Sequence, residues 1–317
     1  MRVPRIAIIT HERDLHAFAV QHRLRERFGV GAHIVETDHF YRSPGLSWTP
    51  EGVGVLPGRD GEAVEMAEMD LIWFRRVGNG RTTALPEVTD PDYRDVIFSD
   101  SATAAIGMVM AGYRGNVVDH PQAVHLAQSK VLQLRIAHDV GWRLPQTLIS
   151  QSPERIRAFC EAMGGAAIVK VVGGSSARTA ATTVVSKELL ADEASLSLAP
   201  AIYQELIPGS RHLRVQVFGD RVHAALFEVD ELDWRFDLNF PAREYPLPDE
   251  VAKNLHEVLR RLDLKMGIFD LKLTDAGEYV WLEINPQGQW LFVEGMTGMP
   301  LLESFSTFLY GEATARW

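Results

Sequence analysis

Residues 266–285 read MGIFDLKLTDAGEYVWLEIN. Two apolar-rich runs flank a short polar break, and a two-residue Ala276-Gly277 loop closed by Asp275 and Glu278 predicts a β-hairpin. That pairing sets Asp270 directly opposite Glu283. Strand alternation sorts Phe269, Leu271, Leu273, Val280, Leu282 and Ile284 to one apolar face, which must be core. Ile268, Asp270, Lys272, Trp281, Glu283 and Asn285 fall on the other. Like charges directly opposite destabilise a sheet, and a bound cation removes the penalty. Hard oxygen ligands of this kind suit Mg²⁺. A solvated polar face on an edge hairpin fits the same residues, and a one-residue slip would part the two carboxylates.

Outward from the hairpin, Glu278–Asn285 runs into Pro286-Gln287-Gly288-Gln289-Trp290, a tight loop leaving a strand. Upstream, Ile202–Ile207, Leu213–Phe218 and Arg221–Val229 read as strands, the last two joined at Gly219-Asp220. Arg214 shares a face with His212 and Gln216, opposite Leu213, Val215 and Val217. Tyr203-Gln204-Glu205-Leu206-Ile207-Pro208-Gly209 fits a hinge whose backbone could recognise a flat base, and equally an edge strand with a turn. Ala166–Val172 is a strand carrying Lys170 on a buried element, where a charge needs a partner. It runs into Gly173-Gly174-Ser175-Ser176, and Arg178 follows. Such a turn lets backbone N–H groups approach phosphate oxygens. The chain has no GxxxxGK[ST], so this is not a P-loop. Lys130 lies within Gln122–Val140, read as one helix, and Asp249–Leu262 and Gly298–Phe308 are further helices. Each basic residue taken singly is also compatible with a solvated surface.

At the N-terminus, Val3–Ile9, Asp14–Phe28 and Ala32–Val35 make a βαβ opening that predicts a parallel sheet. Asp70–Phe74 is a buried strand ending in Arg75-Arg76, where α/β sheets place ligand crevices. A contact with substrate or phosphate and a structural ion pair are both open for these two arginines. The 317 residues suggest two or three domains. A single cysteine, Cys160, excludes a disulfide framework and a Cys-rich zinc site. The short N-terminal apolar run and the lack of an 18-residue apolar stretch predict a soluble, cytoplasmic protein. The net charge is −10, from 32 Lys+Arg against 42 Asp+Glu. That argues against a nucleic-acid partner and requires any anion site to gather its cations locally, while the lack of a long apolar stretch leaves no membrane partner expected. The histidines show no zinc spacing, and no G-x-S-x-G is present.

Taken in chain order, Lys130, Lys170 before a Gly-Ser turn, the YQELIPG hinge, Arg214, then Asp270, Glu283 and Asn285 resemble the ATP-grasp superfamily of carboxylate–amine ligases. Trp73-Phe74-Arg75-Arg76, Asp233-Trp234-Arg235 and Glu283-Ile-Asn-Pro-Gln-Gly-Gln-Trp290 are similar to stretches of its microviridin-type, or graspetide, members, which macrocyclise ribosomal peptides. His212 departs from the D-x-R of RimK-like ligases. The resemblance implies an α/β and α+β fold: a Rossmann-like pre-ATP-grasp domain over 1–117, a central lobe over 118–200 and a C-terminal lobe over 201–317. It further implies ATP held by Lys130, Lys170, Ser175, Arg178, Gln204, Glu205, Leu206 and Ile207, and two Mg²⁺ ions on Asp270, Glu283 and Asn285. Arg214, Arg235 and Lys170 become the expected catalytic set. The expected reaction activates a Glu or Asp side chain of a precursor peptide as acyl phosphate and joins it to a Ser/Thr hydroxyl or Lys amine. The alternatives are a RimK-like amino-acid ligase and a non-catalytic nucleotide- or peptide-binding module. Dimers are common among such ligases, so a homodimer is an expectation, with the apolar helix Leu301–Leu309 serving either an interface or the core.

Overall fold

Apolar runs at both ends of the chain must be covered on both faces, and the fold achieves this by sharing one core between them. The computed structural model describes residues 2–51, 54–77, 87–173 and 181–315. β1 (Ile6–Thr10), α1 (Leu15–Phe28) and β2 (Ala32–Glu36) form the expected βαβ unit, with the two strands parallel. Asp14 caps α1, and Gly29 ends it in the left-handed conformation that lacks a Cβ penalty. A small antiparallel sheet follows: β3 (Ser47–Trp48), β4 (Gly54–Pro57) and β5 (Ala63–Glu65). Then come β6 (Leu71–Phe74), α2 (Pro91–Gly112) and β7 (Asn116–Val118), completing a parallel sheet of order β2-β1-β6-β7.

The expected single helix Gln122–Val140 is two, α3 (Pro121–Ala127) and α4 (Lys130–Val140). Ser129 divides them by capping α4 through the Leu132 N–H, which makes Lys130 the first residue of a helix. The central sheet holds β8 (Thr147–Ser150), β9 (Ala167–Val171), β10 (Thr183–Val184) and β11 (Ala201–Glu205) in the order β10-β9-β11-β8. α5 (Pro153–Ala162) starts on the predicted Ser152 cap, and α6 (Lys187–Ala191) and α7 (Glu193–Leu198) were not foreseen in the sequence. β11 pairs with both β8 and β9, so the expected division at 200/201 falls just before a strand of the central sheet.

The C-terminal sheet has the order β14-β13-β12-β15-β16, built from β12 (Arg211–Phe218), β13 (Arg221–Glu228), β14 (Ala242–Glu244), β15 (Met266–Leu273) and β16 (Tyr279–Asn285). One face packs on α8 (Asp249–Arg261) through Leu213, Val215, Phe269, Leu271, Trp281 and Ile284. Behind the other, α9 (Leu291–Thr297) and α10 (Leu301–Thr314) are covered by the N-terminal sheet. Ile6, Ile8, Leu24 and Trp73 share one core with Phe218, Met266, Trp290, Leu301, Phe305 and Leu309. The C-terminal helix therefore spends this apolar face on the core. No described helix is long and apolar enough to cross a membrane.

Candidate active site

The hairpin register brings the two carboxylates together by a route different from the expected one. Thr274 N–H bonds the Glu278 carbonyl and Gly277 N–H the Thr274 carbonyl, so the loop has three residues rather than two. Gly277 takes the positive φ that such a loop requires. Alone, this would shift every pair by one, and Lys272 does face Val280 and Leu271 face Trp281. A bulge at Leu282 absorbs the extra residue, and Asp270 faces Glu283 as expected. The bulge also corrects the two faces. Trp281 turns into the core among Phe269 and Leu271, while Leu282 turns to the cleft.

The cleft lies between the central and C-terminal sheets. It is lined by Lys130, Ile168, Lys170, Gln204, Glu205, Leu206, Ile207, Asp233, Trp234, Arg235, Asp270, Leu282 and Glu283, with His212 and Lys272. Lys130 Nζ lies 2.8 Å from Glu283 Oε2. Gln133 fixes that contact, since its amide accepts from Ile284 N–H at 3.1 Å and donates to the Ile284 carbonyl at 2.8 Å, tying α4 to the β16 edge. Arg214 Nη1 spans both Asp270 oxygens at 2.9 and 2.7 Å, and its Nη2 donates to the Gln289 carbonyl at 2.8 Å. Its Nε is buried with no hydrogen-bond partner among the described residues. Trp234 and Phe292 flank the guanidinium, with ring centres at 5.7 and 6.0 Å.

Burial raises the Asp270 carboxyl above its ordinary range, Arg214 opposing and Glu283 adding to the rise. Burial also pushes Glu283 up, but the Lys130 and Lys170 ammonium groups outweigh it and hold Glu283 below the usual carboxylate range. The Lys170 ammonium is lowered by burial, only partly restored by Glu283. The two carboxyls are thus shifted in opposite directions, Asp270 up and Glu283 down.

The residues present fit a Mg²⁺ site. Asn285 Nδ2 lies 3.0 Å from Glu283 Oε1 and 3.3 Å from Asp270 Oδ2, and a half-turn of the amide would present its oxygen there instead. Among the described residues no three His, Cys, Asp or Glu side chains form a metal cage. Mg²⁺ needs none, since it takes one or two carboxylates plus substrate phosphates and water.

At the hinge, Glu205 is tied down. Arg143 donates to both its oxygens at 3.2 and 3.0 Å, Gln146 N–H adds a third bond at 3.0 Å, and the carboxyl is lowered chiefly by Arg143. Gln204 is buried against Thr147 Oγ1 at 2.8 Å. What the hinge offers a flat base is therefore Ile168, Leu206, Ile207 and Leu282 together with backbone groups. Arg235 lines the cleft in a two-pronged pair with Asp233, 2.6 Å from Nε to Oδ1. Asp233 also accepts from Thr182 N–H at 3.0 Å, a bond between the two lobes that the sequence did not disclose. Ser175 and Arg178 lie outside the described residues.

One further contact escaped the sequence. Lys272, which faces His212 across β15 and β12, donates to its Nε2 at 2.8 Å inside the cleft wall. Burial lowers Lys272 to about 8 and His212 to about 3. Arg75 is buried in a pair with Asp14, 2.7 Å from Nε to Oδ2, and lies away from the cleft lining. The structural ion pair is thus the correct reading for Arg75. Strand alternation did place His212 and Lys272 on polar faces; the pairing of β12 with β15 across 60 residues had no sequence signal.

No model of a known protein family matches the chain. Over 179 residues, 54% of this chain, it is 24% identical to the α-aminoadipate–LysW ligase LysX of Sulfolobus acidocaldarius, and the match spans 64% of that protein. The fold is similar to the macrocyclase MdnC of Microcystis aeruginosa, solved with its precursor peptide MdnA: TM-score 0.85, 26% identity, covering 96% of this chain and 99% of that one. It is also similar to a RiPP-associated ATP-grasp ligase of Chryseobacterium gregarium in complex with ADP and a leader and core peptide. There the TM-score is 0.83 at 20% identity, covering 99% and 98%.

Proposed function

We propose that the chain is a carboxylate ligase of the ATP-grasp superfamily and, within it, a peptide macrocyclase of the graspetide type. It uses ATP to convert a Glu or Asp side chain of a ribosomal precursor peptide into an acyl phosphate. A Ser/Thr hydroxyl or Lys amine of the same peptide then closes an ester or amide. The observation that carries this reading is the convergence of Lys130, Lys170, Asp270, Glu283 and Arg235 on one cleft, with Arg214 held against Asp270. The likeness to MdnC over nearly the whole of both chains supports the peptide substrate.

In the first step a carboxylate oxygen of the peptide forms a bond to the γ-phosphorus, and the bond to the β–γ bridging oxygen breaks to release ADP. Charge builds on the transferred group, and positioned cations stabilise it. Lys170 holds phosphate oxygens. Arg214, held against Asp270 at the cleft wall, is the cation assigned to the phosphoryl group or the acyl phosphate it becomes. Arg235, half-exposed in the cleft lining and held by Asp233 through Nε and Nη2, receives the acidic side chain on the donors that pair leaves, chiefly Nη1. In the second step the nucleophile attacks the acyl carbon, inorganic phosphate leaves, and the nucleophile's proton is lost. Asp270, Glu283 and Asn285 would hold two Mg²⁺ ions, which supply charge neutralisation at the phosphates. Ile168, Leu206, Ile207 and Leu282 sandwich the base.

A RimK-like reading, with a free amino acid as the nucleophile, is favoured by the LysX likeness over half the chain. The two part experimentally. Phosphate release from ATP that depends on a Thr-, Glu- and Asp-rich precursor peptide, with no amino acid added, supports the macrocyclase. Release that requires a free amino acid and ignores the peptide overturns it.

A further inference from the structure

The loop that follows the hairpin, Gln287–Leu291, is gripped by the N-terminal region: by His16 of α1, by Trp73 of β6 with Arg75 and Arg76 just after it, and by Asp119 after β7, which accepts from Gln287 Nε2 at 3.3 Å. Trp73 Nε1 donates to Gln287 Oε1 at 3.1 Å. Arg75 Nη1 and Arg76 Nη2 both donate to the Gln287 carbonyl, at 3.1 and 3.2 Å. His16 Nε2 accepts from Trp290 N–H at 3.0 Å and from Leu291 N–H at 3.2 Å, satisfying two donors at the start of α9. His16 and Arg75 converge on Asp14, which also accepts from Thr10 Oγ1 at 2.6 Å. Every one of these N-terminal side chains except Arg76 is buried.

Burial on this scale is costly for an arginine and a carboxylate unless their geometry is fixed. The loop they hold carries the Gln289 carbonyl, which holds the second arm of Arg214. It also leads into α9, whose Phe292 flanks the same guanidinium. Arg214 is thus set on one side by Asp270 and on the other by a loop whose position the N-terminal region decides.

We propose that the N-terminal βα region is a positioning element of the ligase site: His16, Trp73, Arg75 and Arg76 clamp Gln287–Leu291 and so fix Arg214 for phosphoryl transfer. The proposal rests on the role given to Arg214 above. It assigns Arg75 and Arg76 to the loop rather than to substrate or phosphate. It also gives the Trp-x-Arg-Arg and Gln-Gly-Gln-Trp stretches one shared task.

The test is His16→Ala beside His16→Gln, whose amide oxygen can accept both loop N–H groups. Misplacement near 1 Å costs about 10²-fold in rate. His16→Ala is expected to lower kcat by about 10- to 100-fold with the KM for ATP nearly unchanged, the pattern of an interaction made in the transition state. Amide exchange at Trp290 and Leu291 should accelerate in the same variant, and His16→Gln should restore both. Should His16→Ala fail to fold, Arg76→Ala with Arg76→Lys as its rescue reads the same split from a half-buried position. Wild-type kcat in the folded Ala variants, or losses that the conservative variants do not rescue, would overturn the clamp. An active Arg214→Ala enzyme would instead overturn the role of Arg214 itself. An inactive one beside unaffected His16 and Arg76 variants overturns the clamp alone.

Discussion

The two faces of the C-terminal sheet are made by the same strands and obey opposite rules. Facing α8, Leu213, Val215, Phe269, Leu271 and Trp281 are buried without a charge among them. On the other face, His212, Asp270, Lys272 and Glu283 line the cleft with Arg214 packed against Asp270, in two ranks across three strands. One face stabilises through apolar area removed from water. The other spends stability to hold charges in partly dry positions, which is where perturbed protonation and function concentrate. The bulge at Leu282 is where the demands meet. It keeps Trp281 in the core and Glu283 in the cleft, which no unbroken two-residue alternation could do given a three-residue loop.

The largest effects should come from the cleft face. Asp270→Ala and Glu283→Ala are each expected to cut ATP-dependent product by about 10²–10³-fold while the melting curve stays that of a folded protein. Full activity in both would break the comparison, because the acidic pair would then be a solvated ornament. On the opposite face, Trp281→Ala should cost about 3–5 kcal/mol in urea unfolding, with the KM for ATP of the folded fraction unchanged. Next in size, Lys170→Met should raise the KM for ATP by about tenfold, about 1.4 kcal/mol, without lowering stability. An unaltered KM would remove Lys170 from the phosphates. Leu282→Ala should be milder, weakening ATP by about 1 kcal/mol and leaving the unfolding midpoint nearly in place. A large loss of stability there would mean that Leu282 belongs to the core after all.

Acid should discriminate the regions as well. Burial holds His16 at about 4 and His212 at about 3, both below the ordinary 6.5. The unfolded chain therefore binds more protons, and stability is lost as pH falls from about 6.5 towards these values. His16→Gln should flatten part of that slope in urea midpoints measured between pH 7 and 4.5. An unchanged slope would mean that His16 is not held neutral.

Much of this was legible in the sequence because it is local. The βαβ opening, the Ser152 cap and the Gly219-Asp220 turn are set by neighbours a few residues apart. The Asp270–Glu283 pair was also found, through two compensating departures: the loop is one residue longer than read, and the bulge is one residue extra on β16. What remained hidden depends on contacts between distant segments. Glu205 looked free to meet a base until Arg143 was seen to hold it. His16 carried no signal, because its partners are backbone N–H groups 274 and 275 residues away. Asp233 read as part of a motif, and only the structure places it across the two lobes on Thr182.

The central claim is that one cleft first phosphorylates and then joins side chains of a peptide. Mass measurement of a Thr-, Glu- and Asp-rich precursor peptide after incubation with the purified chain, ATP and Mg²⁺ tests it most directly. The account predicts a loss of about 18 Da per link, matched by one ADP for each link and absent with Glu283→Ala. A peptide of unchanged mass beside steady ATP turnover, or one gaining the mass of an amino acid, would contradict it.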